Sequence, residues 1–183
     1  NDVLGRYVLV DGFWEPIVTS VFLHLLEPGQ TLIDVGAHSG YFTLLAARRI
    51  RPGGKIVAFE PDAKNRKHLA DNLALNGCGD IAVEPLAVSA SDGNVLFEPS
   101  NEQNSGAANV VEPQQAGVRS QMESIRAVSL DTYCREKNIR RVDLVKMDIE
   151  GGEAQAIEGM RQGLSDGFYR RILTLIDPSI PGR

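Results

Sequence analysis

Strand-like and helix-like segments alternate three times in succession between Thr31 and Val88, and this rhythm restricts the fold more than any other feature of the chain. Thr31–Val35 is a compact run bounded by Pro28-Gly29 and Gly36, with the length and flanks of a buried strand. Tyr41–Ile50 then reads as a helix with Leu44, Leu45, Ala47 and Ile50 facing inward, closed by Pro52-Gly53-Gly54. A second strand, Lys55–Phe59, is followed by a helix over residues 63–76, with Leu69 and Leu73 one turn apart and Gly77 as its stop, and by a third strand over 81–88. Strands separated by helices pair in parallel through crossovers. The expected fold is therefore α/β, a Rossmann-like doubly wound, mostly parallel sheet with helices on both faces.

Before this core, Ile17, Val18, Val21, Phe22 and Leu25 recur at helical spacing after Pro16, a residue that suits a first helical turn. Residues 1–29 are read as a helical lead-in and 30–176 as the core of a single domain, 1–183. With 183 residues and 43% hydrophobic side chains, one sizeable core is accessible and two are not. After the third strand the rhythm breaks: Ser91-Asp92-Gly93-Asn94, between residues 86–90 and 95–97, suggests a hairpin excursion. Residues 101–117 are polar, small and punctuated by Gly and Pro, a long loop of the kind that covers a site. Alternation resumes with a strand at 125–128, a helix at 131–137 capped by Ser129 or Asp131, a strand at 142–147, a helix at 153–160 and a strand at 172–176.

The segment Ile33-Asp34-Val35-Gly36-Ala37-His38-Ser39-Gly40-Tyr41-Phe42-Thr43 lies where the first strand hands over to a helix. Gly36 and Gly40 remove side chains there, letting a ligand approach backbone N–H groups at a helix N-terminus that favours a carboxylate or phosphate. A dinucleotide fingerprint would read G-x-G-x-x-G, whereas this turn reads G-x-x-x-G with Asp34 ahead of its first glycine. That carboxylate suits an ammonium or a water-linked amino-acid group better than a pyrophosphate. About 20 residues on, in Phe59-Glu60-Pro61-Asp62, Glu60 stands at the offset from which an acidic residue accepts both hydrogens of a ribose diol. At a later strand end comes Val145-Lys146-Met147-Asp148-Ile149-Glu150-Gly151-Gly152-Glu153, in which Asp148 and Glu150, two apart, share one side while the chain stays extended. Glu153 has the bland reading of complementing its own helix N-terminus.

These three blocks, with Leu73-Ala74-Leu75-Asn76-Gly77 and Ser129-Leu130-Asp131-Thr132-Tyr133 between them, resemble the FkbM family of S-adenosylmethionine-dependent methyltransferases, over residues 30–176. The resemblance implies S-adenosyl-L-methionine as cofactor and methyl transfer to oxygen, on a hydroxyl of a sugar or a polyketide-derived small molecule. It implies that Asp34, Gly36 and Gly40, with Ala37, His38, Tyr41 and Thr43 of the same turn, hold the methionine end. Glu60 and Pro61 would take the ribose, and residues 86–89, Ala87 and Val88 among them, would pass beside the adenine. Family members often carry Asn where His38 stands. The family sheet also has two more strands after Ile176, for which no residues remain, so the C-terminus is expected to be truncated or the sheet trimmed.

Methyl transfer is an in-line displacement dominated by positioning, and a hydroxyl acceptor must also lose its proton. Asp148, which also borders the cofactor, is the first candidate for this role, Glu150 the second and His38 the third. A divalent metal on Asp148 and Glu150 could act instead, but two carboxylates without a third ligand do not make a case, and no metal is expected. Other readings are the same fold acting on nitrogen, lipid or protein, a cofactor-binding module without turnover, and an NAD-dependent oxidoreductase, which the glycine spacing disfavours. His24 is expected to be satisfied or half-buried, His68 exposed, and Phe13 and Trp14 packed on the core. The net charge of −5 offers no basic field for nucleic acid, so the expected partner is a small-molecule or saccharide acceptor. Cys78 and Cys134 lack metal spacing and disulfide density, and no apolar run is long enough to span a membrane; both fit a cytoplasmic protein.

Overall fold

The computed structural model describes residues 3–99, 109–111, 122–149 and 151–174. Two helices, α1 (Val3–Asp11) and α2 (Pro16–Leu25), precede β1 (Thr31–Val35), α3 (Tyr41–Ile50), β2 (Lys55–Phe59), α4 (Ala63–Leu75) and β3 (Ala82–Glu84). Then come β4 (Ala87–Val88), β5 (Gly93–Glu98), β6 (Asn109–Val111), β7 (Glu123–Val128), α5 (Leu130–Glu136), β8 (Leu144–Met147), α6 (Glu153–Glu158), α7 (Arg161–Ser165) and β9 (Ile172–Thr174). A five-stranded sheet, parallel throughout, runs β3-β2-β1-β8-β9, and a four-stranded mixed sheet runs β4-β7-β5-β6.

The pleat of the parallel sheet sorts the core into two layers. Leu32, Ile56, Ala58 and Leu144 face Phe22 of α2, Phe42, Ala46 and Ile50 of α3, and Leu69 and Leu73 of α4. Ile33, Val35, Val57, Phe59, Val145 and Met147 point the other way, onto Leu130 and Tyr133 of α5, Ala156 of α6, and Val88 and Val128 of the second sheet. The doubly wound expectation is met. Local chemistry fixes the helix ends: Asp62 caps α4 by accepting from the Lys64 and Asn65 N–H groups, and Ser129, rather than Asp131, caps α5 through the Thr132 N–H.

Several elements differ from expectation. Residues 81–88 form two strands, because Pro85 has no N–H to continue a ladder. After that break β4 leaves the parallel sheet and pairs with β7. No hairpin forms around Ser91-Asp92-Gly93-Asn94: the Ser89 N–H donates to Val128 O and the Asp92 carboxylate accepts the Ser129 N–H, so the chain crosses to β7, and β5 pairs antiparallel with β7 and β6. The helix expected over 153–160 ends at Glu158, where Gly159 lies against the Ser89 carbonyl, and α7 follows as a separate turn. β8 begins only at Leu144, Val142 forming a lone bridge to Tyr169, and α1 had no signal in the periodicity. His24 and Phe13 are exposed, off the buried stripe of α2 formed by Thr19 and Phe22; His68 is exposed as expected. Most of the 101–117 loop and the end of the 172–176 strand lie outside the described residues. Among the described residues no helix is long and apolar enough to cross a membrane.

Candidate functional site

β1 occupies the centre of the parallel sheet, with β2 on one flank and β8 on the other. The chain leaves β1 for β2 on one side and returns to β8 on the other, so the carboxyl ends of these strands bound a crevice. Residues 34–40, Glu60 and Asp148 are the ends of those three strands.

Asp34 and Lys146 are direct cross-strand partners in the β1–β8 register, both on the face covered by α3. Asp34 is fully buried and its Oδ2 accepts the Thr43 hydroxyl at 2.6 Å. Lys146 Nζ, equally buried, lies 3.5 Å from Asp34 Oδ1, donates to Gly36 O at 3.2 Å, and sits 3.8 Å from Asp148 Oδ2 and 4.9 Å from the Phe42 ring centroid. Two isolated charges in that layer would be prohibitive; opposed charges tied into hydrogen bonds offset each other's desolvation. Sequence reasoning missed Lys146, although a lone cation inside a strand whose four residues are all buried was a usable signal.

The turn after β1 is consumed largely by the protein itself. A Cβ on Gly36, at φ +75, would lie 2.0 Å from the Asp148 carbonyl oxygen, and one on Gly40, at φ +94, would lie 2.5 Å from Leu69 Cδ1. The two glycines thus admit neighbouring protein, a steric reason for glycine at both positions that holds whatever the turn binds. The Gly36 and Ala37 N–H groups both donate to Phe59 O, and the Gly40 N–H donates to Ala37 O. His38 has φ 51, a region that Asn and His tolerate better than most side chains, which rationalises an exchange between those two residues at this point. Its N–H donates to Glu60 Oε2 at 2.7 Å, and its Nδ1 lies 3.3 Å from Ser39 Oγ.

Glu60 is 4% exposed and accepts the Asp62 N–H on its other oxygen at 2.9 Å. Burial pushes its carboxyl up to about 7, against the opposing pull of those two backbone donors. Pro61, beside it, and Leu86 line a cavity of about 500 Å³ with Pro85, Phe97 and Ile125. Ala87 and Val88 are buried in β4.

Asp148 is partly exposed at the end of β8, its N–H donating to Val35 O. Glu150 lies outside the described residues. Glu153 accepts the Ile149 and Gly151 N–H groups and so ties down the turn after β8, a structural role close to the bland reading. Tyr41, the first residue of α3, turns its hydroxyl to the lead-in: it accepts the Trp14 N–H at 3.2 Å and lies 3.1 Å from the Thr19 hydroxyl, which donates to Trp14 O. This docking brings Glu15, a second residue that the sequence reading missed, into the electrostatic neighbourhood of Asp148 and Lys146. Only the tertiary fold reveals it. No cluster of three or more His, Cys, Asp or Glu that could hold a metal occurs among the described residues.

Residues 34–175 match the family model of the methyltransferase FkbM domain. The chain belongs to the FkbM methyltransferase domain family. This FkbM chain is 24% identical over 155 residues to the 2-O-methyltransferase NoeI of Sinorhizobium fredii, covering 77% of this chain and 61% of that protein. It is 25% identical over 150 residues to the hexuronic acid methyltransferase AglP of Haloferax volcanii, covering 82% and 58% respectively. The FkbM chain thus spans only 61% and 58% of the length of these curated relatives. Precorrin 8w decarboxylase from Methanobacterium thermoautotrophicum superposes with a TM-score of 0.51 at 19% identity, over 91% of this chain and 66% of that one, a likeness of fold.

Proposed function

We propose that this FkbM domain transfers a methyl group from S-adenosyl-L-methionine to a hydroxyl oxygen of a saccharide or small natural product. The observation that carries the reading is the gathering of the 34–40 turn, Glu60 and Asp148 at the carboxyl ends of three adjacent parallel strands, in a chain of a methyltransferase family. The kinds of acceptor named for two relatives, a 2-O position and a hexuronic acid, support a saccharide. A single domain over 1–183, a cytoplasmic setting and the absence of a nucleic-acid partner belong to the same proposal.

The residues present fit such a donor. Gly40 gives α3 no capping side chain, so its first-turn N–H groups remain for a carboxylate. Glu60 is held by one backbone donor on each oxygen and retains lone pairs for a ribose diol. Pro61 and Leu86 offer apolar wall for a base. Asp34 and Thr43 contribute by fixing Lys146 and the start of α3 rather than through exposed atoms. When bound, the cofactor supplies an activated methyl carbon on a sulfonium. The chain's own part is to align an acceptor with that carbon and to receive a proton. Asp148, partly exposed and oriented by Lys146, is assigned the acceptor's hydroxyl proton; Glu150 and His38 follow in that order.

Calorimetric titration tests the donor: S-adenosylhomocysteine should bind and NAD should not, and the reverse would overturn the reading. Asp148→Asn should keep S-adenosylhomocysteine affinity within about threefold while transfer from labelled donor to a saccharide acceptor falls by roughly 10²–10⁴-fold. Unchanged transfer would remove Asp148 from the mechanism, and donor binding without transfer to any saccharide, lipid-linked sugar or polyketide would favour a module without turnover.

A further inference from the structure

An α-amino acid is a zwitterion, and a site for its free end needs a receiver for the anion beside a receiver for the cation. On the reading above, the uncapped N-terminus of α3 serves the carboxylate. Spacing in the sequence nominated Asp34 for the ammonium. Asp34, however, is fully buried, with Thr43 on one oxygen and the Lys146 ammonium 3.5 Å from the other, so a lysine of the protein already fills that role.

Asp34 Oδ1 itself lacks a hydrogen-bond partner among the described residues, but the Lys146 ammonium stands beside it; Glu15 is the other carboxylate near the crevice in that state. Its Oε2 is shielded from solvent and has no hydrogen-bond partner among the described residues. An acceptor in that state forfeits hydration without replacement, a deficit that a ligand N–H would remove. The backbone there is also held at φ 44, ψ 73, a left-handed conformation uncommon for glutamate. The segment is kept in place by the Trp14 N–H on the Tyr41 hydroxyl and by the Thr19 hydroxyl on Trp14 O. Tyr41 is the first residue of α3, so the same contact that anchors Glu15 anchors it beside the helix end assigned to the donor carboxylate. Burial and the neighbouring Asp148 both raise the carboxyl's proton affinity, Lys146 opposing them. Both effects favour a cationic partner.

We propose that Glu15 is the residue that receives the α-ammonium of the methyl donor, the lead-in closing over the methionine end of the site while Asp148 is left to the acceptor. The inference rests on the donor assignment made above, and the test separates the two. S-adenosylhomocysteine and its deaminated analogue, in which hydrogen replaces the amine, are titrated calorimetrically into the full chain, its Glu15→Gln variant and its Glu15→Gly variant. Glycine accepts the left-handed turn without strain, so Glu15→Gly should melt no lower than the parent and keeps the test readable if Glu15→Gln folds poorly.

The parent should bind S-adenosylhomocysteine about tenfold or more tighter than the deaminated analogue, as expected for one charge-assisted hydrogen bond. In both variants that preference should vanish, with analogue affinity unchanged within about twofold. Equal binding of the two ligands by the parent, parallel loss of both in folded variants, or an intact preference would overturn the assignment of Glu15 while leaving the donor reading standing. Failure of the parent to bind either ligand would overturn both.

Discussion

Two buried carboxylates mark the two sides of the crevice, and they are housed in opposite ways. Asp34, in the middle of the sheet, meets a lysine and a hydroxyl. Glu60, at the end of β2, meets one backbone N–H on each carboxylate oxygen and, among the described residues, no ion-pair partner there, the Arg66 guanidinium donating instead to its main-chain carbonyl. The first arrangement offsets charge with charge inside an apolar layer and leaves little for a ligand. The second leaves desolvation partly uncompensated, so that Glu60 gains proton affinity.

The largest expected break of this contrast is at Lys146. Lys146→Met leaves Asp34 buried without its cation and should cost about 3–5 kcal/mol in urea unfolding; adding Asp34→Asn should recover much of that, whereas an additive double variant would mean that the pair is not coupled. Glu60 should show itself through pH. Its folded carboxyl is raised from 4.5 to about 7, so its protonated form contributes stability that is complete below the lower value and is lost as pH rises through the upper one. Relative to Glu60→Gln, which does not titrate, the parent should lose up to about 3 kcal/mol across that window, and parallel stability curves would contradict the burial argument. The smallest effect is expected from Thr43→Val, which keeps shape but removes the hydroxyl from Asp34 and should cost about 2 kcal/mol by the same unfolding measurement.

Much of the framework around the proposed donor site was legible because it is local. Thr31–Val35, Tyr41–Ile50 and Lys55–Phe59 are bounded as their periodicity and flanking Gly and Pro require, which sets Glu60 at the end of the second strand of one βαβ unit. What could not be read depends on which strands meet. Lys146 acquires its partner only when β8 lies beside β1 in a register that sets it opposite Asp34. Glu15 gains meaning only when Trp14 docks on Tyr41, across 27 positions of chain. The departure of β4 into the second sheet likewise rests on pairing with β7, long after the Pro85 break that permits it. Local chemistry writes the elements; long-range pairing decides which side chains become neighbours.

The close approach at Gly36 has a consequence for how such a domain can change. What fills the space of the absent side chain is a main-chain carbonyl, that of Asp148, and no substitution at position 148 can shorten it. A residue larger than glycine at 36 can therefore be accommodated only by rerouting the backbone after β8, where the residue assigned to the acceptor stands. Variation that reshapes acceptor choice must work around a fixed joint between the two halves of the crevice, and a library aimed at new acceptors should hold position 36 constant and diversify the loops instead.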